Sequence, residues 1–223
     1  MKFIKVPLTD LKEMKRRRLD NCVPSNDVHY DTIVAYIHPN PLVRWIFWKR
    51  LKEMLNLSDK ANRVLDFGSG SGVFLYSLSK NFNEVYGLDV ATKSMEYIKR
   101  RFKLDNLHII KNRGEKLPFK DNFFDIVYAA DVLEHMDKPQ IIYSELKRII
   151  RPRGSLIVSG PTENIVYELA KKLIFRRKSA SEHYNNIDDV IKESSKFFKI
   201  DKIKIIPLKI LAGFKIYRAI NKK

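Results

Sequence analysis

Nine residues, Val64-Leu65-Asp66-Phe67-Gly68-Ser69-Gly70-Ser71-Gly72, constrain this 223-residue chain more than any other segment. Val64 and Leu65 read as the end of a buried strand, and glycine at every second position from Gly68 forbids its continuation. Gly72 then opens an amphipathic helix, VFLYSLSK. A glycine-rich bend between a strand and a helix lets a ligand approach the main chain where any Cβ would collide. It also turns unpaired helix N–H groups toward that ligand. The pattern describes a cradle for a nucleotide-type ligand.

The spacing discriminates among nucleotides. A dinucleotide fingerprint is G-x-G-x-x-G with a phosphate at the helix N-terminus, whereas here the third glycine's place is taken by Val73. An acid inside the strand end, Asp66, would repel a pyrophosphate and suits a ligand with a cationic end. A second short apolar strand, Val85 to Val90, carries Asp89 seventeen residues after Gly72. An acid at that point can accept from both hydroxyls of a ribose, in NAD or in S-adenosylmethionine alike.

VLDFGSGSG resembles motif I of the class I S-adenosylmethionine-dependent methyltransferases, whose cofactor carries an amino group and a sulfonium. Further blocks follow in order: LPF at 117–119, FDIV at 124–127, LEH at 133–135, then a helix from Ile141 to Ile150, Arg151-Pro152-Arg153-Gly154 as its breaker, and a strand from Ser155 to Ser159. Together they are similar to the type 11 methyltransferase-domain group over about residues 60 to 160. The resemblance implies an α/β fold: a seven-stranded Rossmann-like sheet, mostly parallel with a C-terminal antiparallel hairpin strand, and helices on both faces. It implies S-adenosyl-L-methionine as cofactor, held by Asp66, Gly68, Ser69, Gly70, Gly72, Asp89, Val90, Gly114, Glu115 and Asp131. Arg113 departs from the group's pattern, in which an Asp receives the adenine amino group, because arginine cannot accept a hydrogen bond. Adenine is then left to main-chain groups near Gly114 and Glu115, to packing on Val90, or to the Glu115 carboxylate.

Methyl transfer from a sulfonium needs alignment, exclusion of water and, for a hydroxyl or acidic carbon, a base. His135, which lies near the transferred methyl in related sequences, and His183, in the SEHY stretch, are the candidates, since imidazole titrates near neutrality; Tyr184 and Glu163 are weaker ones. No Asn/Asp-Pro-Pro-aromatic tetrad follows the fourth strand, which disfavours exocyclic base amines as acceptors. The single Cys22 lies far from the motifs, which disfavours covalent attack on a pyrimidine, and no His/Cys pattern suggests a metal. The expected acceptor is a small molecule or a lipid- or saccharide-linked intermediate, with oxygen the first choice of atom. An RNA methyltransferase and a non-catalytic cofactor-binding partner subunit stand as alternatives.

The formal net charge is +17, distributed as +5 over residues 1–60, +4 over 61–160 and +8 over 161–223. The excess sits in the flanks, so basic runs such as Lys15-Arg16-Arg17-Arg18 suit RNA or a peripheral membrane contact, or are simply solvated faces. No apolar run spans a membrane and no signal peptide is visible, and one cysteine fits a reducing compartment; the chain reads as cytoplasmic. Residues 1–40, broken by Pro7, Pro24 and Pro39, read as an irregular extension before a single domain over 41–223. Within it, 61–160 is the cofactor core, 161–195 the substrate side and 197–220 a terminal strand pair. Pro41 to Leu57 reads as an amphipathic helix covering the sheet, with Arg44, Lys49, Arg50 and Lys52 around its apolar stripe.

Overall fold

A computed structural model of the chain describes residues 1–19, 33–113, 116–136, 138–162, 186–207 and 213–222. The strand-helix alternation of the central segment is realised as β1 (Arg63–Phe67), α4 (Val73–Ser79), β2 (Glu84–Asp89), α5 (Lys93–Phe102), β3 (Leu107–Lys111), β4 (Phe124–Ala130), α6 (Pro139–Ile149) and β5 (Ile150–Pro161). Before it come α1 (Leu8–Arg16), α2 (Val34–Ile37) and α3 (Pro41–Asn56); after it come α7 (Ile187–Phe197), β6 (Phe198–Ile206) and β7 (Phe214–Asn221). The seven strands lie in the order β3-β2-β1-β4-β5-β7-β6. β1 to β5 are mutually parallel, and β7 runs antiparallel to both of its neighbours.

The side-chain period of two sorts the strands between two cores. Val64, Ile126, Tyr128, Ile157 and Ile216 face one side, with Leu51 and Met54 of α3, Leu75 and Leu78 of α4 and Ile98 of α5. Leu65, Val127, Leu156, Val158 and Tyr217 face the other, with Ile142 and Leu146 of α6 and Val190 of α7. Covered on both faces, the central strands read as continuous apolar runs rather than alternating ones. β1 and β4 are neighbours although the chain reaches β4 only after β2 and β3, so the order reverses between them. Ligands in open α/β sheets bind outside the strand ends at such a reversal.

Two local expectations are corrected. The first 40 residues are not irregular throughout, because Leu8, Leu11 and Met14 recur every three residues and form α1. Leu11 and Met14 are buried in the α3–α5 core, and Asp10 Oδ1 accepts from Arg101 Nε of α5 at 2.5 Å. The stripe is only three residues long and dense with cations, which hides it from a periodicity count. Likewise Arg151 to Gly154 do not separate helix from strand; they belong to β5, looped out between the Phe124–Ile150 and Ile126–Ser155 pairs. There Arg153 takes φ +60°, and a Cβ on Gly154 would stand 2.9 Å from the Asp125 carbonyl oxygen.

α3 covers the sheet as expected, with Trp48, Leu51, Met54 and Leu55 buried. Among the described residues no helix is long and apolar enough to cross a membrane. If α1 is an integral part of the core, Met14→Ala lowers unfolding stability by about 2–5 kcal/mol. Leu8→Ala, at an exposed position of the same helix, then costs less than about 0.5 kcal/mol. Equal effects in urea titrations would contradict that packing.

Candidate functional site

The chain leaves β1 through a bend in which Gly68, Gly70 and Gly72 adopt φ of +71°, +52° and +73°. Side chains rarely accept this region, so alternate glycines follow from the backbone path itself. The bend is pinned to the end of β2. The amides of Gly68 and Ser69 both donate to the Leu88 carbonyl, at 2.9 and 3.0 Å, and the Gly72 amide donates to Ser69 O at 2.8 Å. At Gly68 a Cβ would also come within 2.5 Å of Val132 Cγ2, just past β4. The Val132 side chain therefore takes the space that a Cβ at this position would need.

Asp89 closes the bend from the side. Its Oδ2 accepts from Gly70 N at 2.8 Å and its Oδ1 from Ala91 N at 3.0 Å. A carboxylate has about four lone-pair sites, so roughly half of its accepting capacity stays available for hydroxyls. Val90 follows it, half-buried, and Arg113 is exposed beyond β3. Gly114 and Glu115, expected near the adenine, lie outside the described residues, as do His183, Tyr184 and Glu163.

Asp66 is buried at the end of β1. Burial pushes its pKa up from 3.8 to about 7, with the Asp89 charge adding to the rise, while the Ser69 hydroxyl and Arg50 pull the other way. Asp131 lies just past β4 at φ +53°, its amide donating to Ser159 O at 2.9 Å. His135 ends the 3-10 turn Leu133–His135 that follows, half-buried. The structure thus brings Asp66, the three glycines, Ser69, Asp89, Val90, Asp131 and His135 to the carboxyl ends of β1, β2 and β4.

Sequence reasoning missed Arg50 as a site residue, grouping it with the cations that flank the stripe of α3. It is 4% exposed and ion-paired with Asp131. Its Nη2 donates to the Tyr36 hydroxyl at 3.3 Å, and its guanidinium lies against the rings of Phe47 and Phe214, 5.2 and 4.9 Å from their centres. The signal was present in the spacing. Arg50 stands three residues after Phe47 and four before Met54, on the inward stripe of the helix.

The sequence matches the family described as methyltransferase domain over residues 65–158. A ubiquinone/menaquinone biosynthesis C-methyltransferase, UbiE of Hahella chejuensis, is 30% identical over 179 residues, covering 74% of this chain and 67% of that protein. The chain belongs to the class I S-adenosylmethionine-dependent methyltransferases. Malonyl-[acyl-carrier protein] O-methyltransferase of a Marinomonas species is 31% identical over 55% of this chain and 46% of its own length. This chain spans about half or less of the length of the first curated relatives it matches. In fold it is similar to the N-methyltransferase NodS of Bradyrhizobium japonicum in complex with S-adenosyl-L-homocysteine, with TM-score 0.67 and 15% identity over 96% of this chain and 99% of that one.

Two consequences of the methyltransferase bend can be measured. Gly68→Ala places a Cβ both at positive φ and against Val132, and costs about 1–3 kcal/mol; adding Val132→Ala recovers only the steric share. Full recovery in the double variant would show that the backbone angle carries no strain. For Asp66, folding raises an acid's pKa from 3.8 to about 7. The folded chain therefore holds a proton that the unfolded chain has already released, and stability falls as pH rises through that interval. Asp66→Asn is then expected to stabilise the unliganded protein by up to about 4 kcal/mol above pH 7 and by nothing near pH 4. A gain independent of pH would contradict the burial of an ionisable group there.

Proposed function

We propose that this chain transfers the methyl group of S-adenosylmethionine to a small-molecule or a lipid- or saccharide-linked acceptor, at an oxygen, a nitrogen or an activated carbon. The observation that carries the reading is the buried carboxyl of Asp66 at the start of a bend whose three glycines run at positive φ. A carboxyl in that place suits a ligand with a cationic end and disfavours a pyrophosphate. The names of two relatives, one for C-methylation in quinone biosynthesis and one for O-methylation of a carrier-linked malonyl group, support the acceptor class.

When bound, the cofactor supplies an electrophilic methyl group on a sulfonium that leaves as a neutral thioether. Asp66 offers the countercharge for the amino group of the methionine end, and the remaining lone pairs of Asp89 accept from the ribose hydroxyls. Val90, half-buried after Asp89, would offer the packing surface for the adenine. Ser69, Gly70 and Gly72 shape the wall that excludes water from the line of attack. His135, at the end of the 3-10 turn that follows β4, takes the acceptor's proton where the acceptor has one to lose, and His183 is the second candidate for that role.

Calorimetric titration with S-adenosylmethionine and with NAD tests the cofactor. Binding of the first alone is expected, weakened about tenfold or more in Asp89→Asn; binding of NAD alone would overturn the reading. Asparagine is the better replacement than alanine, since its carbonyl keeps one acceptor for the Gly70 amide. Incubation of a cell extract with methyl-tritiated cofactor tests the acceptor. Label in the small-molecule or lipid fraction is expected, and label confined to RNA would overturn that acceptor class in favour of nucleic acid.

A further inference from the structure

α3 buries one face against the sheet and leaves a second stripe open. Leu42 is 58% exposed and Trp45 is 45% exposed, one turn apart on the outer side of the helix. The stripe continues through Lys49, whose ammonium stands 4.7 Å from the centre of the Trp45 ring, to the exposed Lys52. This end of the helix is held in place. Asn40 caps it by accepting from the Leu42 amide at 2.9 Å, and Arg44 donates to Pro39 O at 2.8 Å. Beside the stripe, Lys49 and Glu53 line a groove of about 560 Å³ with residues 203–207 at the end of β6. Glu53 accepts there from Lys204 at 2.8 Å, so the three charged groups sum to one positive charge.

The stripe lies at the same end of the molecule as the glycine bend. Phe47 meets Phe214, with ring centres 5.3 Å apart, and Phe214 opposes Pro161 at the carboxyl end of β5. The far end of α3 lies further along β7, where Leu57 O accepts from Arg218. Leu42 and Trp45, which precede Phe47, therefore stand at and beyond the strand ends. Two side chains offer too little apolar area for a stable protein interface, which buries roughly 1,200 Å² or more. A second copy of the chain would also bring like-charged lysines together. Tryptophan and leucine among lysines instead suit the boundary between headgroups and acyl chains, where the ring lies at the interface and the ammonium groups reach phosphates. A net charge of +17 favours an anionic surface of that kind.

We propose that the Leu42–Trp45 stripe of α3 is a docking surface for an anionic lipid bilayer. Leu42 and Trp45 enter the headgroup layer, Lys49 and Lys52 meet lipid phosphates, and the groove beside Lys49 is open to a headgroup. Docked in this way, the carboxyl ends of the strands and the glycine bend face the bilayer. That orientation favours the lipid-linked member of the acceptor class. This consequence rests on the function proposed above, whereas the docking needs neither cofactor nor catalysis.

Co-sedimentation of the unliganded protein with vesicles tests the docking, using phosphatidylcholine alone and phosphatidylcholine mixed with phosphatidylglycerol. Binding to the anionic vesicles is expected to be about tenfold or more tighter than to the neutral ones, and to weaken as salt rises. The chain has two tryptophans, of which Trp48 is buried. Lipids brominated on the upper acyl chain are therefore expected to quench the emission of the unaltered protein and not that of Trp45→Phe. Leu42→Glu combined with Trp45→Glu is expected to lower vesicle affinity about tenfold or more. Its melting temperature should stay unchanged, because both positions are exposed. Failure to bind anionic vesicles, whether or not poly-uridine RNA is bound, or equal binding to neutral ones, would overturn the docking. Binding without quenching, or binding undiminished in the folded double variant, would overturn it as well. Each of those results leaves the cofactor reading intact, and failure of the cofactor titrations leaves the docking intact.

Discussion

Three residues in five at positive φ are the constraint on which the rest of this site depends. A bend of that shape demands glycine at Gly68, Gly70 and Gly72, and it is held by two amides on the single carbonyl of Leu88. Because the bend is pinned to β2, Asp89 reaches across to the Gly70 amide, and Val132 from the end of β4 fills the space a Cβ at Gly68 would need. Strands β1, β2 and β4 are thereby locked into one surface. The acids at their ends cannot move apart without breaking backbone hydrogen bonds.

The same geometry sets the electrostatics. Asp66 is withdrawn from water by the strands around it, and its charge is opposed by Asp89. A carboxyl stored in this way is destabilising in the empty protein and becomes favourable when a cation arrives, so stability is given up to make binding selective. Arg50 moderates the cost. It reaches the site from α3, held between Phe47 and Phe214, and so links the helices preceding the motif to the chemistry at the strand ends.

How much of this could be read from sequence varies with the physics involved. The glycine bend, the flanking strands and Asp66 and Asp89 were legible because backbone conformation and strand burial are local and leave a periodic trace. The seven-stranded sheet with its antiparallel β7 came from the resemblance, supported by the alternation of the central segment and by the paired strands at the end. α1 was missed because three apolar residues among cations give a weak period. The looped-out Arg151–Gly154 was misplaced because its position depends on pairing with β4. Arg50 was misjudged because charge was read as exposure, whereas its place on the inward stripe of α3 follows from spacing. Its partner Asp131 lies 81 residues away, a distance no local pattern reports.

The measurement that bears most directly on the site is the proton balance of cofactor binding. Titrating S-adenosylhomocysteine near pH 6 in buffers of different ionisation heat counts the protons exchanged. With Asp66 raised to about 7 in the empty protein and ionised beside the ligand's ammonium, binding should release a large fraction of one proton, and less as pH rises past 8. Binding with no proton exchange, or with uptake, would contradict Asp66 as the countercharge on which the site is built.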